Sequence, residues 1–289
     1  MMFRAAQVTS AYDYSGKAGK LMPMISKRVA MAFSLIAWPC AAAANDLRDF
    51  CPDRPGLGTP PCTIDPGHAA VELGVADWTL DRQAGVRQDV FRFADVLIRY
   101  GVSGTLEVQL GWQGLGYVRA RRTGGSATHR TGIGDATLAI RENLKNPDGS
   151  GLSLAVMPFL TLPTGISEIG AGDWTAGAIL PISYALSNQV QLALTGEIDS
   201  AADTQGSGHH LAYSGVAGLG AALSKDLGAT IEFAVQRDEE TGQAATAFLS
   251  GLSLAWAVGE AMQLDGGANI GLSHNSADLE LYVGVAKRF

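Results

Sequence analysis

Past residue 66 the chain alternates apolar and polar residues with a period of two, and it keeps doing so through to its last residue. In the final segment, Leu279, Leu281, Val283, Val285 and Phe289 share one face, and Asp278, Glu280, Tyr282, Gly284, Ala286 and Arg288 share the other. Leu106, Val108, Leu110 and Trp112 oppose Glu107, Gln109 and Gln113, while Val190, Leu192 and Leu194 oppose Gln191, Thr195 and Glu197. Ile231, Phe233 and Val235 oppose Glu232 and Gln236, and Met262, Leu264 and Ile270 oppose Gln263, Asp265 and Asn269. Successive side chains of a strand point to opposite faces, so this pattern predicts half-buried β-strands. Helical periodicity is almost absent. After the N-terminus no apolar run reaches the ~18 residues that a spanning helix needs.

The pattern divides into twelve segments, over about 68–80, 89–101, 105–119, 133–144, 151–162, 174–186, 189–199, 210–223, 228–238, 244–257, 261–272 and 278–289. Their connections alternate in character. Those at 101–104, 146–149, 187–188, 224–226 and 259–260 are short and turn-like; those at 82–88, 122–131, 163–173, 200–209, 238–243 and 273–277 are mostly longer, polar and rich in Gly. Short turns on one rim and longer loops on the other predict an all-β fold, a transmembrane antiparallel up-and-down β-barrel of about 12 strands. The even strand number places both ends of the barrel on the short-turn rim. A soluble β-sandwich is the competing architecture, with apolar faces inward and Lys and Glu outside. Against it, charged residues make up only 17% of the chain, where soluble domains carry about 25%. Lys145, Lys225 and Lys287 all fall near predicted turns or the terminus, and the polar faces are thin, built of Gly, Ala, Ser, Gln and an occasional acid. Trp78, Trp112, Trp174, Trp256, Tyr100, Tyr117 and Tyr184 suit aromatic girdles at the two membrane interfaces, with Tyr282 on the polar face of its strand.

From Met24 the chain reads MISKRVAMAFSLIAWPCAAAAND. Lys27 and Arg28 precede a short apolar core, and Ala42-Ala43-Ala44 forms a small-residue cleavage site before Asn45, which together predict a secretory signal peptide. Residues 1–44 are therefore expected to be an N-terminal extension plus signal peptide, 45–66 a periplasmic N-terminal segment, and 67–289 the barrel. Residues 1–44 carry five basic residues and one acid, so their removal takes the net charge from −7 to −11. An acidic chain repels phosphate backbones, which excludes nucleic acid as a partner. Cys51 and Cys62 flank the Pro-rich PDRPGLGTPP, and such a pair in an exported chain predicts a disulfide.

Reactive chemistry is not apparent. Gly215-Val216-Ala217-Gly218-Leu219-Gly220 has the wrong spacing for a nucleotide-binding loop, and no helical pattern follows it. His129, His209, His210 and His274 fall in predicted outer loops without metal-ligand spacing. No pattern joins His68 to a nucleophile. Neither an enzyme nor a cofactor or metal is expected. The polar faces instead supply candidates for a lumen: Glu107, Gln109, Gln113, Asp135, Arg141, Gln191, Glu197, Glu232, Gln236, Gln263, Asp265, Asn269, Glu280 and Arg288. Gly132 and Gly134 permit a tight turn or bulge into a strand. Asp135, on the face of Thr137 and Arg141, is expected either to pair with an arginine inside the lumen or to act as a constriction charge. A terminal aromatic on the last strand, Phe289, resembles the signal read by the bacterial barrel-insertion machinery.

Three stretches occur in a recognisable order: Gly132-Ile133-Gly134-Asp135-Ala136-Thr137-Leu138, Pro158-Phe159-Leu160-Thr161-Leu162-Pro163-Thr164-Gly165, and Val283-Gly284-Val285-Ala286-Lys287-Arg288-Phe289. Over about residues 67–289 the chain resembles the outer-membrane barrel family described as "putative MetA-pathway of phenol degradation". The resemblance implies a channel in the Gram-negative outer membrane, embedded in its lipid, for passive uptake of small aromatic or other hydrophobic solutes. Residues 45–66 are shorter than the N-terminal plug of channels that resemble the fatty-acid transporter, which argues against a plug-and-hatch mechanism. Two rival readings stay open: a sealed structural or adhesive barrel, and a soluble periplasmic β-protein that binds an apolar ligand.

Overall fold

The computed structural model describes residues 47–204 and 208–289, so the signal peptide and its cleavage site near Ala44 and Asn45 lie outside the described residues. Fourteen strands form one antiparallel sheet: β1 (Ala69–Gln83), β2 (Val86–Gly101), β3 (Leu106–Trp112), β4 (Leu115–Arg122), β5 (Ala127–Ile133), β6 (Ala136–Lys145), β7 (Leu152–Leu162), β8 (Thr175–Ala185), β9 (Val190–Ala202), β10 (His209–Ala222), β11 (Leu227–Asp238), β12 (Ala245–Ala257), β13 (Met262–Gly271) and β14 (Leu279–Arg288). β1 pairs with both β2 and β14, which closes the sheet into a barrel, while β5, paired with β4 alone, keeps an open edge.

The wall has twelve strands, because two of them are interrupted. β2 pairs with β3 along Val96–Gly101 and with β4 along Val86–Phe93. β6 pairs with β3, and β5 with β4. β3 with β4, and β5 with β6, thus each make one wall strand, broken at Gln113–Gly114 and at Gly134–Asp135. The breaks lie side by side: the Gln113 amide donates to the Asp135 carbonyl at 2.9 Å, and the Gly134 amide to the Gln113 carbonyl at 3.0 Å. Across the first break the outward face changes phase, from Leu110 and Trp112 to Leu115, as an inserted residue demands.

Three boundaries depart from the sequence expectation. Segment 105–119 is not one continuous strand. The expected loop 122–131 contains most of β5, whose residues are nearly all exposed; a hairpin wet on both faces carries no alternation to reveal it. The expected loop 82–88 shrinks to the two-residue turn Ala84-Gly85, with φ of 49° and 75°, the left-handed pair that suits strand twist.

The apolar faces point outward. Ile231 and Leu252 are each 58% exposed, while Arg99, Glu107 and Arg141 on the opposite face are fully buried. That is the inverse of a sandwich and the signature of a wall that meets lipid. Tyr100, Tyr184 and Trp256 are exposed at the short-turn ends of β2, β8 and β12. Toward the other rim Trp78, Phe91, Tyr117 and His129 form a row across four adjacent strands, with centroids 6.1–6.5 Å apart. Tyr282 is the exception anticipated by its face, buried inside.

Candidate functional site

Many inward positions are small: Ala70, Ala139, Ala155, Ser153, Ser183, Ala212, Ala234, Ser253 and Ala286. Side chains of that size cannot fill the interior of a twelve-stranded barrel, whereas eight-stranded barrels are filled by theirs. The space is crossed by residues 48–65. This strap touches inward side chains of β1, β2, β3, β6, β9, β11, β13 and β14, strands from all round the ring, so it lies within the lumen. Residues 48–65 of the expected periplasmic N-terminal segment thus run inside the barrel. Pro52, Pro55, Pro60 and Pro61 stiffen the strap, and the expected disulfide joins Cys51 to Cys62.

The two arms of the strap, 51–54 and 62–64, are held by a buried charge cluster. Arg99 contacts Asp53 at 3.0 Å, Glu72 at 3.1 Å and Glu107 at 3.0 Å. Arg141 contacts Asp53 at 2.6 Å and Glu107 at 3.0 Å. Both arginines also donate to the Cys62 carbonyl, and Arg99 to that of Cys51. Three carboxylates thus face two guanidiniums, and backbone amides supply the balance: those of Asp53 and Arg54 donate to Glu72, and that of Ile64 to Glu107. Burial alone would raise the Asp53 carboxyl; Arg141 and Arg99 overcome it and hold that carboxyl well below the usual carboxylate range.

The rest of the strap is pinned further round. Arg54 makes a two-pronged pair with Asp265, at 3.3 and 2.9 Å. The Leu57 and Gly58 amides donate to Glu232 at 2.7 and 2.9 Å, and Gly56 (φ 112°) leaves no room for a Cβ beside that carboxylate. The Thr59 amide donates to Thr195, and the Asn143 amide group to the Pro61 carbonyl. Asp65 accepts from Arg48 at 2.7 Å and from Arg288 at 3.4 Å.

The fourteen lumen candidates thus divide by role. Glu107, Arg141, Glu232, Gln263, Asp265 and Arg288 hold the strap directly. Gln109 is buried beside Glu107 and Asp53. Asn269 donates to Glu280 on the neighbouring strand. Glu197 and Gln236 are half-buried on the inner face, and Gln191 is exposed at the short-turn rim. Gln113 lies in the wall break against Gly134. Glu72, Arg99, Asn143 and Thr195 belong to the site without having been singled out. The signal was present for Glu72 and Arg99, which interrupt apolar runs on the inward phase of Val71-Glu72-Leu73 and Ile98-Arg99-Tyr100.

Asp135 departs from expectation. Among the described residues no arginine pairs with it; it accepts from the Gly165 amide at 2.9 Å and the Ala171 amide at 2.6 Å. It therefore clasps loop 163–173, whose Ile166 and Ile169 pack onto Gly132 and Gly116, where a Cβ would clash. Two of the three family-like stretches thereby acquire a joint reason, since one supplies the carboxylate and the other an amide it grips. Hydrogen bonds to a charged group are worth about 1.5–3 kcal/mol each. Asp135→Ala is expected to release the loop and make 163–173 the first site of limited proteolysis in folded protein. Unchanged cleavage would show that the two isoleucines suffice.

A barrel that is apolar where it meets lipid and strapped across its lumen defines an outer-membrane β-barrel protein. The chain belongs to the family described as "Putative MetA-pathway of phenol degradation", whose model matches residues 52–289. No curated protein matches it in sequence. Among solved structures it is similar to an outer membrane channel from Pseudomonas putida F1, at 14% identity and a TM-score of 0.60, over 79% of this chain and 98% of that one. It is also similar to the translocator domain of the autotransporter NalP from Neisseria meningitidis, at 15% identity and a TM-score of 0.51, over 77% of this chain and 88% of that one. At these identities the likeness is one of fold.

Proposed function

We propose that the protein is a passive outer-membrane channel for small solutes, aromatic or otherwise hydrophobic, with no enzymatic step. The observation that carries this reading is the lumen itself: inward positions that are mostly small or polar, crossed by a strap held through hydrogen bonds at separate points. The family's description points to phenol-like compounds, and the similar protein from Pseudomonas putida F1 is itself described as a channel. In this reading the short-turn rim and the strap face the periplasm, and the long loops face outward.

The test is single-channel recording of the refolded mature protein in a planar bilayer, with phenol added on the long-loop side. Discrete current steps interrupted by phenol are expected. Silence both from wild-type protein and from protein lacking the strap, when insertion is demonstrated, would leave the sealed barrel as the better account.

The lumen also has a sign. Toward the long-loop end, Glu197, Asp199, Asp238 and Glu240 line the inner face of β9, β11 and the loop beyond, and Arg237 is turned to Glu239 at 2.8 Å. Rings of acids favour cations. A salt gradient is expected to give a reversal potential of mild cation preference; anion preference would contradict it.

A further inference from the structure

The fold brings together a histidine and two carboxylates that no sequence spacing joins. His210 near the start of β10, Asp238 at the end of β11 and Glu240 just beyond it each offer one donor atom, all within 4.8 Å of one another. The His210 side chain is only 7% exposed. Its Nδ1 stands 2.8 Å from Asp203 Oδ1. Its Nε2 is buried and makes no hydrogen bond; Asp238 Oδ1 lies 3.0 Å away but out of alignment for one. A carboxylate that accepts from Nδ1–H fixes the tautomer whose lone pair sits on Nε2. That lone pair then meets a carboxylate oxygen at contact distance, which is repulsive unless a proton on Nε2 or a metal ion joins them. The neighbouring guanidinium does not serve, because Arg237 is engaged by Glu239 at 2.8 Å and Thr246 at 3.0 Å. Asp199, level with Asp238 across Ala212, adds negative charge instead.

We propose that His210, Asp238 and Glu240 bind a borderline divalent transition-metal ion, of which zinc is the type, and that Asp203 orients the imidazole. The donor set decides the class. Calcium and magnesium favour all-oxygen shells, whereas one imidazole with carboxylates suits zinc and its neighbours. The ion would tie the loop after β9 to the loop after β11, a junction where Glu240 already accepts from the Thr204 amide at 2.9 Å. Its place at the long-loop rim is separate from the strap.

The test is calorimetric titration of tag-free barrel, folded in detergent micelles, with zinc chloride. One equivalent is expected to bind, and excess magnesium is not expected to displace it. His210→Ala and Glu240→Gln should each abolish that single-site heat. Asp203→Ala should weaken binding by about 10–100-fold, as loss of an orienting partner does. His209→Ala should leave it unchanged, since that ring lies tilted against Trp174, centroids 4.1 Å apart. Circular dichroism and heat-modifiable gel migration report whether each variant is folded, and Glu240→Gln or Asp203→Ala decides if His210→Ala is not. No stoichiometric binding by wild type, or undiminished binding by the folded variants, overturns the site and leaves an imidazolium bridging Asp203 and Asp238. Neither readout depends on whether the barrel conducts.

Discussion

Deletion of residues 48–65 from the mature chain is expected to leave the barrel closed and to raise its single-channel conductance by roughly an order of magnitude, since an unplugged barrel of this strand number has a lumen wider than its side chains fill. Closure is a property of the wall: β1 pairs with β14 from Ala70–Arg288 to Leu80–Leu279 without help from the strap. The wall charges left behind keep partners of their own, because Arg99 still meets Glu72 and Glu107, and Arg141 still meets Glu107. Water entering the emptied lumen solvates what the strap had covered, so no buried charge is stranded. The measurement is paired: current steps of wild-type and shortened protein in the same bilayer, with gel migration showing both folded. Equal conductance would mean that the strap does not limit flow and that the narrowest point lies elsewhere, loop 163–173 being the next obstruction.

The wall was largely legible in the sequence because a barrel writes its two environments onto alternate residues. Leu279, Leu281 and Val283 announce a lipid face as plainly as Glu280, Tyr282 and Arg288 announce an interior. Where that rule lapses, so does the reading. β5 stands with both faces in solvent, and its Ala127–Ile133 carries no period. The break at Gln113–Gly114 was recorded only as a change of phase between Trp112 and Leu115, which is visible once each outward residue is tracked and invisible when segments are merely counted. Asp135 looked like a lumen charge because it shares the phase of Arg141; nothing local shows that loop 163–173, a whole strand later, folds back to give it two amides. The strap was illegible for a different reason. Its anchors reach as far as Arg54 to Asp265 and Arg48 and Asp65 to Arg288, contacts between distant parts of the chain that no short window contains. What the sequence did carry was its stiffness, in four prolines and a cysteine pair.

The charge cluster gives the sharpest expectation, because counting charges predicts the order of two substitutions. With Asp53, Glu72 and Glu107 facing Arg99 and Arg141, Arg99→Met leaves three carboxylates around one guanidinium, all buried. Removing one partner from a buried network costs about 3–5 kcal/mol, so Arg99→Met is expected to lower the unfolding free energy in micelles by that order. It should also shift conductance toward the strap-deleted value as the strap undocks. Asp53→Asn removes the odd carboxylate and leaves two against two. Its loss is confined to the charge-assisted bonds that Asp53 makes with Arg141 and Arg99, about 1.5–3 kcal/mol, and the smaller effect is the expected one despite the carboxylate's central position. Acid should act as Asp53→Asn does. A carboxyl held below its ordinary value contributes stability that is present above that value, about pH 4, and is lost as the pH falls through the lowered one. The strap is therefore expected to stay docked at pH 5, where an ordinary surface carboxylate is already beginning to titrate, and to loosen only in stronger acid. If Asp53→Asn proves the more damaging of the two, the strap is held by that one carboxylate rather than by the balance of the cluster, and the backbone amides of Asp53, Arg54 and Ile64 do not compensate the third charge.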